Sequence, residues 1–384
     1  MRLLNFFKKE TVLCIALLLA AGSAIAVPPD IEYAGYLDYR TLAVLFCLMC
    51  VMAGLQKMGL FNMIARKLLC KVNSSGQLVL ILVLLCFFFS MLITNDVSLI
   101  TFVPFTFTVL GLLGEEQKKG LLLPTVAMQT VAANLGSMLT PIGNPQNLYL
   151  YGKAGMTIGE FVELMMPYTI FSLLLLGGWC LLQGRGPARN GQVGEKISFP
   201  LDPAASLTGK GKELGVYLLL FLLCLSAVAQ AVPWEFVLAI VLLAVVLLDR
   251  QVFARVDYSL LATFAGFFVF IGNMGRIPAF SRLLQRLIAG NEVFTAIAAS
   301  QLISNVPAAL LLSGFTQDYP GLIVGANLGG LGTLVASMAS LISYKYVAKE
   351  ESGSRGKYIL LFTAANVVFL ILLIALHLLL SFRG

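Results

Sequence analysis

Apolar runs of bilayer length recur from one end of this chain to the other, and they decide what it can fold into. A hydrocarbon core about 30 Å thick takes roughly 20 apolar residues per helix at 1.5 Å rise each. Thr11 to Ala26, Asp38 to Gln56, Phe161 to Leu182, Leu214 to Ala229, Trp234 to Leu248, Asp257 to Met274 and Tyr358 to Leu380 read as spans. Two further spans, Leu121 to Leu150 and Leu322 to Tyr346, are interrupted, which makes about nine crossings. Of 384 residues 59% are hydrophobic and 12% charged, more apolar surface than a soluble fold can hide. The runs lack the alternation of an outer-membrane barrel. The expected fold class is therefore an all-α polytopic membrane protein. With one His and no H-E-x-x-H, the sequence offers no intramembrane hydrolase site, and no enzyme is expected.

Two apolar segments, Leu78 to Leu113 and Val293 to Phe315, are bisected by polar residues: Thr94-Asn95-Asp96 in the first, Ser304-Asn305 with Pro307 in the second. About ten apolar residues per arm in the second is too few to cross twice, so both read as re-entrant hairpins. With the N-terminus cytoplasmic and both hairpins returning to their own side, 20 of the 26 Lys and Arg fall inside and six outside. That bias is the signature of cytoplasmic loops and leaves the C-terminus outside, in a bacterial inner membrane. The net charge of +7 therefore reflects orientation, not a nucleic-acid partner. The lipid bilayer is the partner it implies.

The chain repeats itself. Leu37-Asp38-Tyr39 opens one span and Val256-Asp257-Tyr258 another, and each span is followed by an amphipathic stretch, Phe61 to Val72 and Phe280 to Ile288. The hairpin tips align at Thr94 and Ser304. ANLGSMLTPIGNPQNL from Ala133 matches ANLGGLGTLVASMASL from Ala326 at six of sixteen positions. Five crossings between Asp38 and Asp257 place the second copy upside down, the plan of many secondary transporters. The expected organisation is an N-terminal repeat at 1–182, a cytoplasmic linker at 183–212 and an inverted C-terminal repeat at 213–384. The first repeat holds a first span at 11–27, a hairpin at 78–113 and a broken helix at 121–150; the second holds a hairpin at 293–315 and a broken helix at 322–346. The run to Ala26 ends in an A-x-A like a signal-peptide cleavage site, yet a matching span precedes the second repeat, so it reads as retained. The C-x-x-C of Cys47 and Cys50 lies within a span and reads as packing, not redox chemistry.

Polar side chains and unwound backbone are costly in hydrocarbon and mark function there. Pro141 and Pro145 remove backbone donors and Gly136 and Gly143 permit unusual dihedrals, so the helix should break and present carbonyls and amides. The second copy has Gly325, Gly329, Gly330 and Gly332 with Asn327, Thr333, Ser337 and Ser340. The tips should meet at mid-membrane. Asn95, Asp96, Thr140, Asn144, Asn305, Thr333 and Ser337 are the substrate-binding candidates; Thr94, Asn95, Asn134, Gly143, Ser304, Asn305 and Asn327 are the cation-binding candidates. With no Lys or Arg in the core, a small anionic substrate would be held by helix ends, amides, hydroxyls and a bound cation, Na⁺ or H⁺. No cofactor and no metal beyond Na⁺ is expected. Asp96 is the acid nearest mid-membrane, carried either protonated or beside a cation, and Val306 stands opposite it.

At these residues the sequence resembles the ion-transporter superfamily of divalent anion:sodium symporters, citrate carriers, arsenite permeases and one group of sodium/proton antiporters. TPIGNPQN from Thr140 is similar to that family's Thr-Pro-x-Gly-x-Pro-x-Asn signature, and Thr94-Asn95 and Ser304-Asn305 match the first two places of its Ser-Asn-Thr tips. Asp96 and Val306 replace both threonines, and an acid repels a carboxylate unless neutralised. The resemblance implies a scaffold, a moving part that carries hairpins and broken helices, and often a homodimer. The function it implies is secondary active transport of a small anion or oxyanion of the di- or tricarboxylate, sulfate or arsenite class, coupled to Na⁺ or H⁺ by alternating access. The alternative is a sodium/proton antiporter with Asp96 as the exchanging acid.

Overall fold

The computed structural model describes residues 10–69, 72, 74–113, 115–183 and 211–382. Arg2, Lys8 and Lys9, Cys70 and Lys71, most of the expected linker (184–210) and Arg383 lie outside the described residues. Every regular element described is a helix. Along the first part of the chain these are α1 (Thr11–Ala26), α2 (Tyr33–Tyr36), α3 (Tyr39–Lys57), α4 (Leu60–Leu69), α5 (Ser75–Ile93), α6 (Asn95–Gly111), α7 (Glu115–Ser137), α8 (Pro145–Ala154) and α9 (Ile158–Gln183). The second part has α10 (Gly211–Val228), α11 (Trp234–Leu248), a 3₁₀ turn (Arg250–Arg255), α12 (Tyr258–Gly275), α13 (Pro278–Ile288), α14 (Glu292–Ile303), α15 (Asn305–Ser313), α16 (Tyr319–Leu328), α17 (Met338–Glu350) and α18 (Arg355–Ser381).

The repeated sequence signals have structural causes. Asp38 and Asp257 are N-caps: their carboxylates accept from Thr41 N and Leu260 N, each at 2.9 Å, and start α3 and α12. The interrupted spans break at 138–144, between α7 and α8, and at 329–337, between α16 and α17. Among the described residues six helices, α3, α5, α9, α10, α12 and α18, are long and apolar enough to cross a membrane. Leu18, Leu174, Leu181, Leu219, Leu247 and Leu360 are all well exposed, as lipid-facing residues should be.

Both hairpins fold back on themselves. Ser98 Oγ donates to Cys86 O at 3.2 Å, two residues that a continuous helix would hold about 18 Å apart. Phe89 and Phe102 meet across the same turn with ring centroids 5.1 Å apart. In the second hairpin Thr316 Oγ1 donates to Glu292 Oε1 at 3.0 Å, which brings the two ends together. One feature differs from expectation. The first hairpin starts at Ser75, not Leu78, because Ser74 caps the helix by accepting from Gln77 N, and its 19-residue incoming arm is itself of spanning length.

The first helix packs against the second half by one face. α1 packs along α12, where a Cβ on Gly266 would sit 3.2 Å from Ala16, and Asn273 Nδ2 donates to Ser23 Oγ at 2.9 Å. Reciprocally, α11 packs along α3. Ion pairs tie the helix ends: Lys118 to Glu351 at 3.1 Å, Lys57 to Asp249, and Arg276 to Asp30 at 2.7 Å. The hydrogen bond from Arg276 holds the Asp30 carboxyl below the usual range, and Lys57 does the same to Asp249.

Candidate functional site

Thr94 (φ 71°, ψ 152°) and Ser304 (φ 74°, ψ 154°) adopt one conformation, in a region almost reserved for glycine. Holding a residue there costs about 1–3 kcal/mol, and it persists only where neighbours over-determine it. Here they do so twice, at corresponding positions. Asn95 N donates to Gly143 O at 3.1 Å, and Asn305 N to Ala336 O at 2.9 Å. Each Asn Oδ1 accepts from the next backbone amide, Asp96 N at 2.9 Å and Val306 N at 3.0 Å. Gly143 and Ala336 are partners in the sequence alignment, so each tip is seated on the break of its own half.

Beneath the tips, amides and hydroxyls join the two breaks. Asn134 Oδ1 accepts from Asn95 Nδ2 at 3.0 Å and from Ser337 Oγ at 3.1 Å. Its counterpart Asn327 accepts at Oδ1 from Asn144 Nδ2, at 3.1 Å. Asn144 and Ser337 are themselves alignment partners, so the two cross-links are the same bond made in both directions. Asn134 Nδ2 donates to Gly330 O at 3.4 Å, and Asn327 Nδ2 to Asn147 Oδ1 at 2.6 Å. All five asparagines are buried. Two helices reach this centre because glycines let them approach: a Cβ on Gly136 would lie 2.5 Å from Ser90 Oγ, and one on Gly329 would lie 2.5 Å from Ser300 Oγ. Those are again corresponding pairs.

Asn95, Asp96, Pro145, Gln146, Asn305 and Val306 line a cavity of about 10 Å³, together with Leu260, Ser337, Met338 and Ala339. It is the junction of four helix N-termini, those of α6, α8, α15 and α17. Among the described residues no Lys or Arg lines it. Its volume is at the threshold for one water. Gln146 is 1% exposed, and neither its amide N nor its O has a hydrogen-bond partner; nor does Asp96 Oδ1. Orphaned buried polar atoms are rare and call for a ligand or water.

The candidate residues are not all in one place. Asn95, Asp96, Asn305 and Ser337 line the junction; Asn134, Asn144 and Asn327 form the network below it. Thr94 and Asn144 also border a neighbouring cavity. Ser304 and Gly143 act through backbone. Thr140 and Thr333 lie outside the junction, each tied to an incoming hairpin arm: Thr140 Oγ1 donates to Met91 O, and Thr333 N donates to Gln301 Oε1 at 3.0 Å. Gln301 also donates to Gly329 O and Leu331 O and so braces the second break. Gln146 and Asn147 belong to the polar stretch of the first break but not to the candidate residues, and Gln301 to neither. The first two sit inside the TPIGNPQN stretch, and Gln301 follows Ser300 in a mostly apolar arm, three positions before the tip.

Asp96 faces a second cavity of about 160 Å³, walled mostly by Leu45, Leu48, Met49, Met52 and other apolar residues, with Arg255 and Asp257 also on its walls. A third, of about 380 Å³, lies next to it and shares Gln56 and Ile100; Arg66 is on its wall.

A profile of the citrate transporter family (CitMHS) matches residues 7–320. The chain is 31% identical over 337 residues to the inner membrane protein YbiR of Escherichia coli, covering 86% of each. It is 31% identical over 340 residues to the uncharacterized transporter MJ0456 of Methanocaldococcus jannaschii, covering 88% of this chain and 89% of that one. A more distant relative is the putative transporter arsB of Dictyostelium discoideum, 22% identical over 144 residues, 38% of this chain and 25% of that one. The chain belongs to the citrate transporter family and is a membrane transporter, not an enzyme.

Proposed function

We propose that this protein is a secondary active transporter that carries a small anion or oxyanion, coupled to Na⁺ or H⁺ by alternating access. The observation that carries the reading is the meeting of four helix N-termini at one polar junction without a basic side chain. Each N-terminus bears roughly half a positive charge, which favours an oxyanion at the junction. Asn95, Asn305, Ser337 and Gln146 add neutral donors. The cation binds on the other side of the same turns, among Thr94, Asn95, Asn134 and Gly143 in one half and Ser304, Asn305 and Asn327 in the other. The family's description as citrate transporters supports a carboxylate substrate; sulfate and arsenite are the other members of the class.

The repeat is inverted in this reading, with the N-terminus cytoplasmic. Support comes from the ties between helix ends: Lys57 to Asp249 and Lys118 to Glu351 join residues assigned inside, and Arg276 to Asp30 joins residues assigned outside. One observation favours the antiporter as a second reading. Asp96 borders both the junction and the larger neighbouring cavity, and Oδ1 has no partner.

Proteoliposomes tested with dicarboxylates, citrate, sulfate and arsenite under separate Na⁺ and pH gradients decide between them. The proposal expects uptake of at least one anion that stops when the driving gradient is collapsed. No anion movement, with a Na⁺ gradient alone driving protons the other way, would replace it with the antiporter.

A further inference from the structure

The junction has room for about one water, so the body of any transported anion lies outside it. The space that adjoins it is the cavity of about 160 Å³, which shares Asp96, Pro145 and Leu260 with the junction. Four parts of the chain enclose this cavity: α3, the first tip with the first turns of α6, the first break with the start of α8, and the end of the 3₁₀ turn with the start of α12. Its walls are mostly apolar, formed by Leu45, Leu48, Met49 and Met52 of α3 together with Ile93 and Ile142.

The polar groups on those walls are largely committed to the protein. Asn144 donates to Ser137 Oγ and Asn327 Oδ1 and accepts from Asn147 N. Asp257 Oδ1 accepts from Leu260 N, and Gln56 Nε2 donates to Thr101 Oγ1. Among the described residues Arg255 is the one base on the walls. A tricarboxylate or a compact inorganic oxyanion brings charged oxygens on several sides. In this space most of them would lie against leucine, isoleucine and methionine without donors, at a heavy desolvation cost. An anion with one charged end avoids that cost: the charged end reaches the helix N-termini, and the rest displaces water from apolar surface. Size agrees. An apolar cavity of about 150 Å³ takes up benzene, so this one holds a body of about six carbons. Met49 and Met52 have unbranched side chains that adapt to the shape of such a body.

We infer that the anion carried by this protein is a monoanion with an apolar body of about six carbons, an aliphatic or aromatic carboxylate in class, and that Leu45, Leu48, Met49 and Met52 select it. The inference rests on the transporter reading of the junction and names the kind of anion the site takes. The charged end lies at the tips, beside Asn95 and Gln146, and the body lies along α3. Arg255 and Asp257 are exposed on the cavity wall and offset one another, so the junction sets the sign of the ligand. Asp96 stands where the two cavities join. It must be protonated or paired with the coupling cation for the charged end to sit beside it, which ties binding of this anion to the coupling ion.

Straight-chain alkanesulfonates, from methane- to octanesulfonate, stay charged and do not cross lipid as neutral acids. Their binding to the full chain in lipid nanodiscs, with empty nanodiscs as the blank, tests the inference. Each added methylene should tighten binding roughly threefold to fourfold, levelling off at about six carbons. Met52→Gln should reduce the ratio of hexanesulfonate to methanesulfonate affinity. Ala53→Leu, which fills part of the space, should end the rise at a shorter chain, and it serves if the glutamine variant does not fold. Affinity that does not change with chain length overturns the inference. So does hexyltrimethylammonium binding more tightly than hexanesulfonate, which would assign the cavity to a cation. A flat series in protein that still takes up citrate or sulfate leaves the transporter reading standing, whereas uptake of no anion by wild type removes that reading whatever the series shows.

Discussion

Thr94 and Ser304 are the residues at which this structure departs furthest from what its sequence favours locally, and they do so together. Each holds a conformation that only glycine adopts freely, and each is seated by a hydrogen bond from the asparagine that follows it. Ser304→Gly should therefore leave the protein more stable than Ser304→Ala by about 1–3 kcal/mol, measured as thermal unfolding in detergent. Equal stabilities would show that the turn carries no strain. Asn327→Ala should cost about 1–3 kcal/mol, because it strands Asn147 Oδ1 in a buried network and leaves Asn144 Nδ2 only its bond to Ser137 Oγ. Asparagines in a hydrophobic run were legible as a site from the residue string alone. Their pairing across the halves was not, since a bond such as Asn134 to Ser337 spans 203 positions and has no local signature.

At the scale of elements, glycine spacing decides how closely helices approach. A Cβ on Gly136 would meet Phe87 O and Ser90 Oγ, whereas Gly178, within α9, has nothing within 4 Å. Gly136→Ala should destabilise by about 1–3 kcal/mol, as overpacking does. Gly178→Ala should be neutral or stabilising by about 1 kcal/mol or less, from helix propensity. Matched unfolding curves compare the two, and equal losses would show that Gly136 is not a contact glycine. The broken helices and fold-back tips were readable because prolines, glycines and amides interrupt apolar runs where hydrocarbon penalises them. The length of α5 was less so. Its start depends on Ser74, a polar residue in a polar stretch, and nothing in the composition distinguishes a capping serine from its neighbours.

For the whole molecule, the sequence repeat shows which elements correspond, and the reciprocal packing of α1 on α12 and α11 on α3 shows how the halves clasp. Helix periodicity could not reveal that clasp, because a helix apolar on every side carries no signal for which side meets protein. At the rim of the clasp, Arg276 lowers the Asp30 carboxyl, so the contribution of this pair is present above the ordinary aspartate pKa and is lost as pH falls through the folded value. The acid limb of thermal stability should flatten in Asp30→Asn; an unchanged limb would remove the pair from the account.

The central claim is that Asn95 and Asn305, brought together by two strained turns, grip the transported anion. Its most direct test is anion uptake by proteoliposomes containing Asn95→Ala or Asn305→Ala protein, each first shown to be folded by its elution and unfolding profile. The account predicts that both variants lose uptake. Folded variants that transport at the wild-type rate would contradict it.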